Sequence, residues 1–407
     1  QLDAGDPDSD DPRTATFEIT GDQDGLRIYG GFRGDESFDD VSDVDAALDG
    51  RELSENETVF SGNINGNEGD VSGNAYHVLV LNGGEAIGAD ITENITGATV
   101  LNGVTVTDGN ARGLSNIDRS GGGLYCDGRS NGNVCSPQIT EVTFTGNSAG
   151  SNGGAILNDG LEGASSPQIT GSTFTGNSAD DNGGAIFNFG SFGASSPQVT
   201  NATFTGNSAD FEGGAIFNNG RNGESSPQIT NATFTGNSAA VRGGAIFNFG
   251  FQGESSPQIT NSTITGNSTD TYGGGAIYND GRNGESSPQI TNSILWGNNA
   301  NGDGDEIYNR AATPTLSYTL IDGGVEGNGI FDDNGSSTTN GDDNLGTNTA
   351  PDFVDADDPV GPDGTPGTED DGLRLVVGSD ALDAGDNTPF NSGEFLEDIT
   401  TDLLGED

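Results

Sequence analysis

The chain has 407 residues, a formal net charge of −52 and only 30% hydrophobic content, and all 12 of its basic residues are arginine. Such a balance excludes nucleic acid as a partner, because phosphate binding needs a basic surface, and no apolar run nears the roughly eighteen residues of a transmembrane segment. So much like charge is tolerated where concentrated salt or divalent cations screen it, so the composition reads as that of an extreme halophile, with a calcium-rich extracellular setting as the alternative.

Residues 1–120 read as an acidic N-terminal cap with early coils, 121–310 as a regular repeat region, and 311–407 as closing coils with an acidic, loop-rich tail. From Arg13 the segment RTATFEITGDQDGLRIYGGFRGDES alternates well enough for two strands. Residues 39–70 are the most charged internal stretch and offer little to bury, which predicts an excursion from the main body. His77, the single histidine, lies in NAYHVLVL just before a predicted strand and reads as structural. ATVLNGVTVTDGN, from Ala98 to Asn110, is an early coil.

From Cys135 to Asn299 one sentence is written six times, with its proline at Pro137, Pro167, Pro197, Pro227, Pro257 and Pro288, a spacing of thirty that slips once to thirty-one. Fixed self-similarity of this length is the signature of a stacked solenoid. Each unit holds three short strand-like segments, for example Gln198 to Thr200, Ala202 to Thr205 and Ala215 to Phe217, separated by Gly, Asn and Ser. The prediction is an all-β fold, one right-handed parallel β-helix with three strands per coil and a rise of about 4.8 Å. Stacking turns sequence positions into columns. Three point inward: Ile139 to Ile290, Phe144 to Leu295, and Leu124 to Ile307. A fourth, Asn147, Asn177, Asn207, Asn237, Asn267 and Asn298, predicts a corner ladder of amides tolerating left-handed turns.

The paired signatures FTGNSA and GGAI resemble the repeats of polymorphic outer-membrane proteins, and more broadly right-handed parallel β-helix proteins of pectin-lyase-like architecture. The resemblance runs from about Arg13 onward and implies the fold. It also implies a secreted, extracellular or cell-surface location. It does not choose among adhesins, surface fibres and polysaccharide enzymes, all of which use that architecture. IYGGF is similar to the family's N-terminal coils, and residues 353–387 to its closing coils; in the family more chain continues at both ends, so the resemblance implies either a segment of a longer precursor or a product processed at Gln1 and Asp407.

Cys126 and Cys135, the only cysteines, stand in columns that later repeats fill with Asn188 and Ser195 or Asn218 and Ser225. Columns that face each other across a loop mouth suit a disulfide and an oxidising compartment, with two unrelated buried thiols as the alternative. Beyond Asn299 the pattern decays: DEIYN is a last GGAI-like strand, residues 315–321 another coil, and 322–352 a loose excursion.

Three surfaces are candidates for function. The first is a neutral face of paired threonines, including Thr173 and Thr175, Thr203 and Thr205, and Thr233 and Thr235, beside a parallel column Gln138, Gln168, Gln198, Gln228, Gln258 and Gln289. It suits self-association or a surface polysaccharide or protein partner; an ice-binding face, or plain exposed-strand composition, are the other readings. The second is an outward aromatic column, Tyr125, Leu157, Phe187, Phe217, Phe247, Tyr278 and Tyr308, either covered by the loops bearing Phe189, Phe192, Phe249 and Phe251 or exposed as a sticky stripe. The third is acidic: Asp355, Asp357, Asp363, Asp370 and Asp371, with Asp352, Asp358 and Glu369, offer oxygen ligands for Ca2+, without an EF-hand spacing. Asn201, Asn231, Asn261 and Asn334 are N-x-S/T acceptors, and Arg221 with Glu224 and Arg282 with Glu285 read as loop ion pairs. No grouping of catalytic residues is legible, so the expectation is a non-enzymatic structural or adhesive β-helix able to assemble into fibres or a surface layer; a lyase or hydrolase acting on polysaccharide is the alternative.

Overall fold

In a computed structural model of the full chain, the structure describes residues 12–33, 48, 51–66, 71–83, 94–115, 117–130, 132–325, 329–341, 344–346, 351 and 353. Three parallel sheets of ten strands each form the walls of a right-handed solenoid. Wall A carries the GGAI-type strands such as Ile216–Asn219, wall B the QIT-type strands such as Gln228–Thr230, and wall C the TFT-type strands such as Thr233–Thr235. Register is strict: Ile186 lies over Ile216, Val199 over Ile229, and Phe204 over Phe234.

The three inward columns are the core. Phe144, Phe174, Phe204 and Phe234 are fully buried. Their rings stack at centroid separations of 5.1, 4.7 and 4.6 Å, nearly parallel with the interplanar angle never above 4°. Such separations match the coil rise, so one rotamer is imposed on every rung. Small inward residues two positions earlier, Ser172, Ala202, Ala232 and Ser262, leave room for the rings and are themselves buried.

The corners are set by backbone chemistry. Gly213 has φ 66, open to glycine at no steric cost, and a Cβ on Gly214 would lie 2.1 Å from the carbonyl oxygen of Gly244 in the next coil. The paired glycines are therefore contact points between coils. Each Asn of the predicted corner ladder is buried and bonded along the axis. The Asn207 side-chain amide donates to Asn237 Oδ1 at 2.9 Å and to the Phe174 carbonyl at 2.9 Å. Asn237 Oδ1 also accepts the backbone N–H of Asn207 at 3.0 Å. These asparagines are not the left-handed residues that the sequence suggested. That role falls to the preceding glycines, Gly176 and Gly206 among them, and to a different column, Asn201, Asn231, Asn261 and Asn292, at φ 50–53 between walls B and C.

Three further expectations need correcting. Each regular coil has a fourth strand of two residues, such as Ser208–Ala209, forming a narrow seven-stranded sheet after the Asn corner. The charged stretch 39–70 is not wholly an excursion, because Val59–Ser61 pairs with Thr105–Thr107 and completes the first coil's wall C. Residues 322–352 are not one loose loop: Ile330–Asp333, Thr339–Asn340 and Leu345–Gly346 add a tenth rung to walls A, B and C. In both cases one or two apolar residues in the inward position suffice when the rung below supplies the hydrogen-bonding template.

Asn237→Ala is expected to cost about 3 kcal/mol, because it strands the buried Asn207 backbone and side-chain donors together. Gln228→Ala on the outer face should change stability by at most about 0.5 kcal/mol. Urea denaturation at fixed salt compares the two.

Candidate functional site: the outer faces of the solenoid

Strand alternation sends Gln168, Gln198, Gln228, Gln258 and Gln289 outward from wall B, and all five are exposed. In-register pairing puts each directly over the last. Wall C is less open than its sequence implies: Thr175 is exposed and Thr173, Thr205 and Thr233 are half-buried, but Thr203 and Thr235 are buried. The two outward strand positions of walls B and C carry no charged side chain in the six regular coils. Carboxylates sit instead on corners and loops. Glu224, Glu254 and Glu285 make an exposed stack at one corner. Burial first, then repulsion from Glu285 and Glu224, raises the Glu254 carboxyl above its usual range.

The outward aromatic column of wall A is covered. Tyr125, Leu157, Phe187, Phe217, Phe247 and Tyr278 form a second, external apolar cluster, with Phe189 and Phe249 packed against it. Phe247 is 1% exposed and Phe187 5%. The cover comes from the ends of the wall A strands and not from the loops, because Phe189 and Phe249 close the strands Ile186–Phe189 and Ile246–Phe249 two residues beyond the column on the same outward side. Phe187, Phe217, Phe247 and Tyr278 are thus removed as an exposed association stripe. Phe192, at 64% exposure and φ 55, points away from the cover instead of joining it.

Polar networks close this cluster at both ends. At one end Tyr125 donates to Asp159 at 3.1 Å, while Arg129 pairs with Asp127 at 2.7 Å and reaches Asp159 at 3.5 Å. Burial, partly opposed by Arg129, pushes the Asp159 carboxyl up to about 6. The Tyr125 hydroxyl is raised by burial and then by Asp159 and Asp127. Toward the other end Arg242 pairs with Glu212 at 2.5 Å and lies over the rings of Tyr272 and Tyr278 at 5.0 and 5.5 Å. The loop ion pairs read from sequence are different from those formed: Arg282 pairs with the buried Asp280 at 2.7 Å, and Arg221 lies over the Phe251 ring. For Arg282 the partner is the carboxylate two residues earlier on the outward strand face, and for Arg221 it is an aromatic ring of the next coil. His77 is buried, donates from Nδ1 to the Gly121 carbonyl at 2.9 Å, and is held below its usual pKa by burial.

Cys126 and Cys135 form a disulfide, with Cα atoms 5.7 Å apart. Its place in the stack is what sequence columns indicated: Cys126 pairs with Asn158 and Cys135 with Ser165. Above it run two ladders the sequence reading missed. Asn158, Asn188, Asn218, Asn248, Asn279 and Asn309 link side chain to side chain at 2.7–2.8 Å. Ser195, Ser225, Ser255 and Ser286 each donate to the Ser carbonyl of the preceding coil. Where the disulfide replaces the first Asn and Ser, Asn158 Oδ1 is left buried without a donor. The disulfide is the N-terminal cap of both ladders.

The residues expected to hold Ca2+, Asp355, Asp357, Asp363, Asp370 and Asp371, lie outside the described residues. Among the described residues no cluster of three metal-ligating side chains occurs, and no helix is long and apolar enough to cross a membrane.

Cys126→Ser/Cys135→Ser is expected to lose about 2–3 kcal/mol through the freed nine-residue separation. Cys126→Asn/Cys135→Ser should recover a measurable part of it by supplying Asn158 with its donor. Thermal unfolding of the three proteins without reductant provides the comparison.

Comparison with known families finds the Chlamydia polymorphic membrane protein repeat five times, at residues 141–159, 171–188, 201–219, 231–248 and 261–280. Searches of curated proteins and of solved structures find no match. Each matched segment starts at the left-handed corner before wall C and ends in a wall A strand. The chain is a parallel β-helix protein whose regular coils carry repeats of the polymorphic membrane protein type.

Proposed function

We propose that this chain is a non-enzymatic, surface-displayed β-helix whose neutral faces carry lateral contact or adhesion. The observation that supports this reading best is the exposed column Gln168, Gln198, Gln228, Gln258 and Gln289, a regular uncharged stripe on a protein of net charge −52. Like-charged bodies approach most closely where their charge is absent, and identical amides in register present the same donors and acceptors at every coil. The repeat family supports display at a cell surface, because its name is that of a membrane protein. Thr175 and the half-buried Thr173, Thr205 and Thr233 flank the stripe, while the buried Thr203 and Thr235 contribute shape only.

Polysaccharide cleavage is the second reading, and Asp159 favours it, a carboxyl held up to about 6 beside Arg129 and Tyr125.

Antibody or protease treatment of intact source cells tests the first reading. Labelling or shaving without lysis is expected, and signal only after lysis would contradict display. Incubation of the purified chain with acidic and neutral glycans should release no new reducing ends; release that Asp159→Asn abolishes would establish the second reading instead.

A further inference from the structure

The corner ladder of asparagines needs an end, and the sequence changes two columns together to make one. Counting on from the Leu295–Ile321 pairing puts Gly324 where the next asparagine after Asn298 would stand. One column away, the residue before the inward isoleucine is Ala155, Ala185, Ala215, Ala245 and Ala276 in successive coils, all fully buried, and then Glu306. Glu306 is also fully buried. Its Oε1 accepts the Asn298 backbone N–H at 3.2 Å and its Oε2 accepts the Asn298 side-chain amide at 2.5 Å. These are the two hydrogen bonds that an asparagine Oδ1 accepts on every other rung, as Asn298 does from Asn267. A carboxyl therefore stands in for the missing amide.

An amide in this place has one charge state and a carboxyl has two. We propose that Glu306 is a proton-responsive clamp on the end of the asparagine ladder: uncharged, it holds the last regular coil to the rungs that follow; charged, it loosens them. The surroundings oppose the charge. Asp305 lies beside it, bonded through Oδ1 to the Ala300 N–H, and Asp322 is the second acidic group acting on it; the pair of Asn298 donors acts the other way. Burial first, with Asp322 and Asp305 adding, pushes the carboxyl up to about 8. A raised acid is protonated when folded and ionised when exposed, so its contribution is complete below the ordinary glutamate range and declines as pH climbs through about 8.

Hydrogen exchange of the full chain, read by mass spectrometry over peptides spanning 290–321 at one salt concentration, tests this. Relative to Glu306→Gln at each pH, local opening in the native chain should rise about tenfold per pH unit between the ordinary glutamate value and about 8, while peptides around Phe174 and Phe204 stay level. Glu306→Gln should remain closed throughout. Glu306→Ala, which restores the column's usual residue, should be open at every pH because Asn298 loses both acceptors. A native chain that tracks Glu306→Gln across the range would overturn the proposal. So would a native profile whose rise is centred in the ordinary glutamate range, or an alanine variant as closed as the glutamine one.

Discussion

The amide ladder at the corner after wall C constrains everything else. A buried asparagine has two donors and two acceptor positions to satisfy, and the interior of a narrow solenoid offers water no place to do it. Asn207, for example, is satisfied by Asn237 one coil on, by the Phe174 carbonyl one coil back, and by the Asn177 donors that its Oδ1 accepts. The arrangement works at a single register, because a slip of one residue would replace the amide by glycine or serine and turn the phenylalanines outward. Apolar stacking supplies the larger share of the driving force, yet rings of one kind could slide; the hydrogen-bonded column fixes which residue sits over which. Polar specificity and apolar packing thus point to the same pairing.

The remaining features follow from where ladders begin and stop. A column of identical groups leaves one unmatched partner at each end. The chain closes the wall A asparagine column at one end with Asp332, which accepts from Asn309 at 2.8 Å, while at the Cys126–Cys135 end Asn158 Oδ1 stays unmatched. It closes the corner column with Glu306. Charge is likewise arranged around the stacking. In-register repetition would put identical charges about 4.8 Å apart, so neutral Gln and Thr occupy the strand faces of walls B and C and carboxylates go to corners. Glu224, Glu254 and Glu285 stack at one such corner, where burial first and then repulsion from Glu285 and Glu224 raise the Glu254 carboxyl. The neutral faces are thus a consequence of stacking as well as the surface on which contact is proposed.

The solenoid was legible because periodicity reports what must coincide in space: the Ile and Phe columns, the Asn corner and the Cys126–Cys135 position all follow from counting thirty. Features without periodicity were not legible. Val59–Ser61 and Ile330–Asp333 join the walls through backbone pairing to a neighbour already in place, and backbone pairing leaves little trace in side-chain pattern. The cover over wall A was left open by sequence, since alternation fixes the side on which Phe187 and Phe189 emerge without saying whether a second layer folds down. Glu306 carried a readable signal, a glutamate in a column of alanines, although its meaning depends on Gly324 in another column, and the pairing of those two positions appears only in three dimensions.

The most direct test of the account is the exchange rate of the side-chain amide protons of Asn177, Asn207, Asn237 and Asn267, measured by NMR on protein labelled with 15N at asparagine. If the ladder holds the coils in register, these protons exchange as slowly as backbone amides of the core. Exchange at the rate of an exposed asparagine such as Asn201 would contradict it.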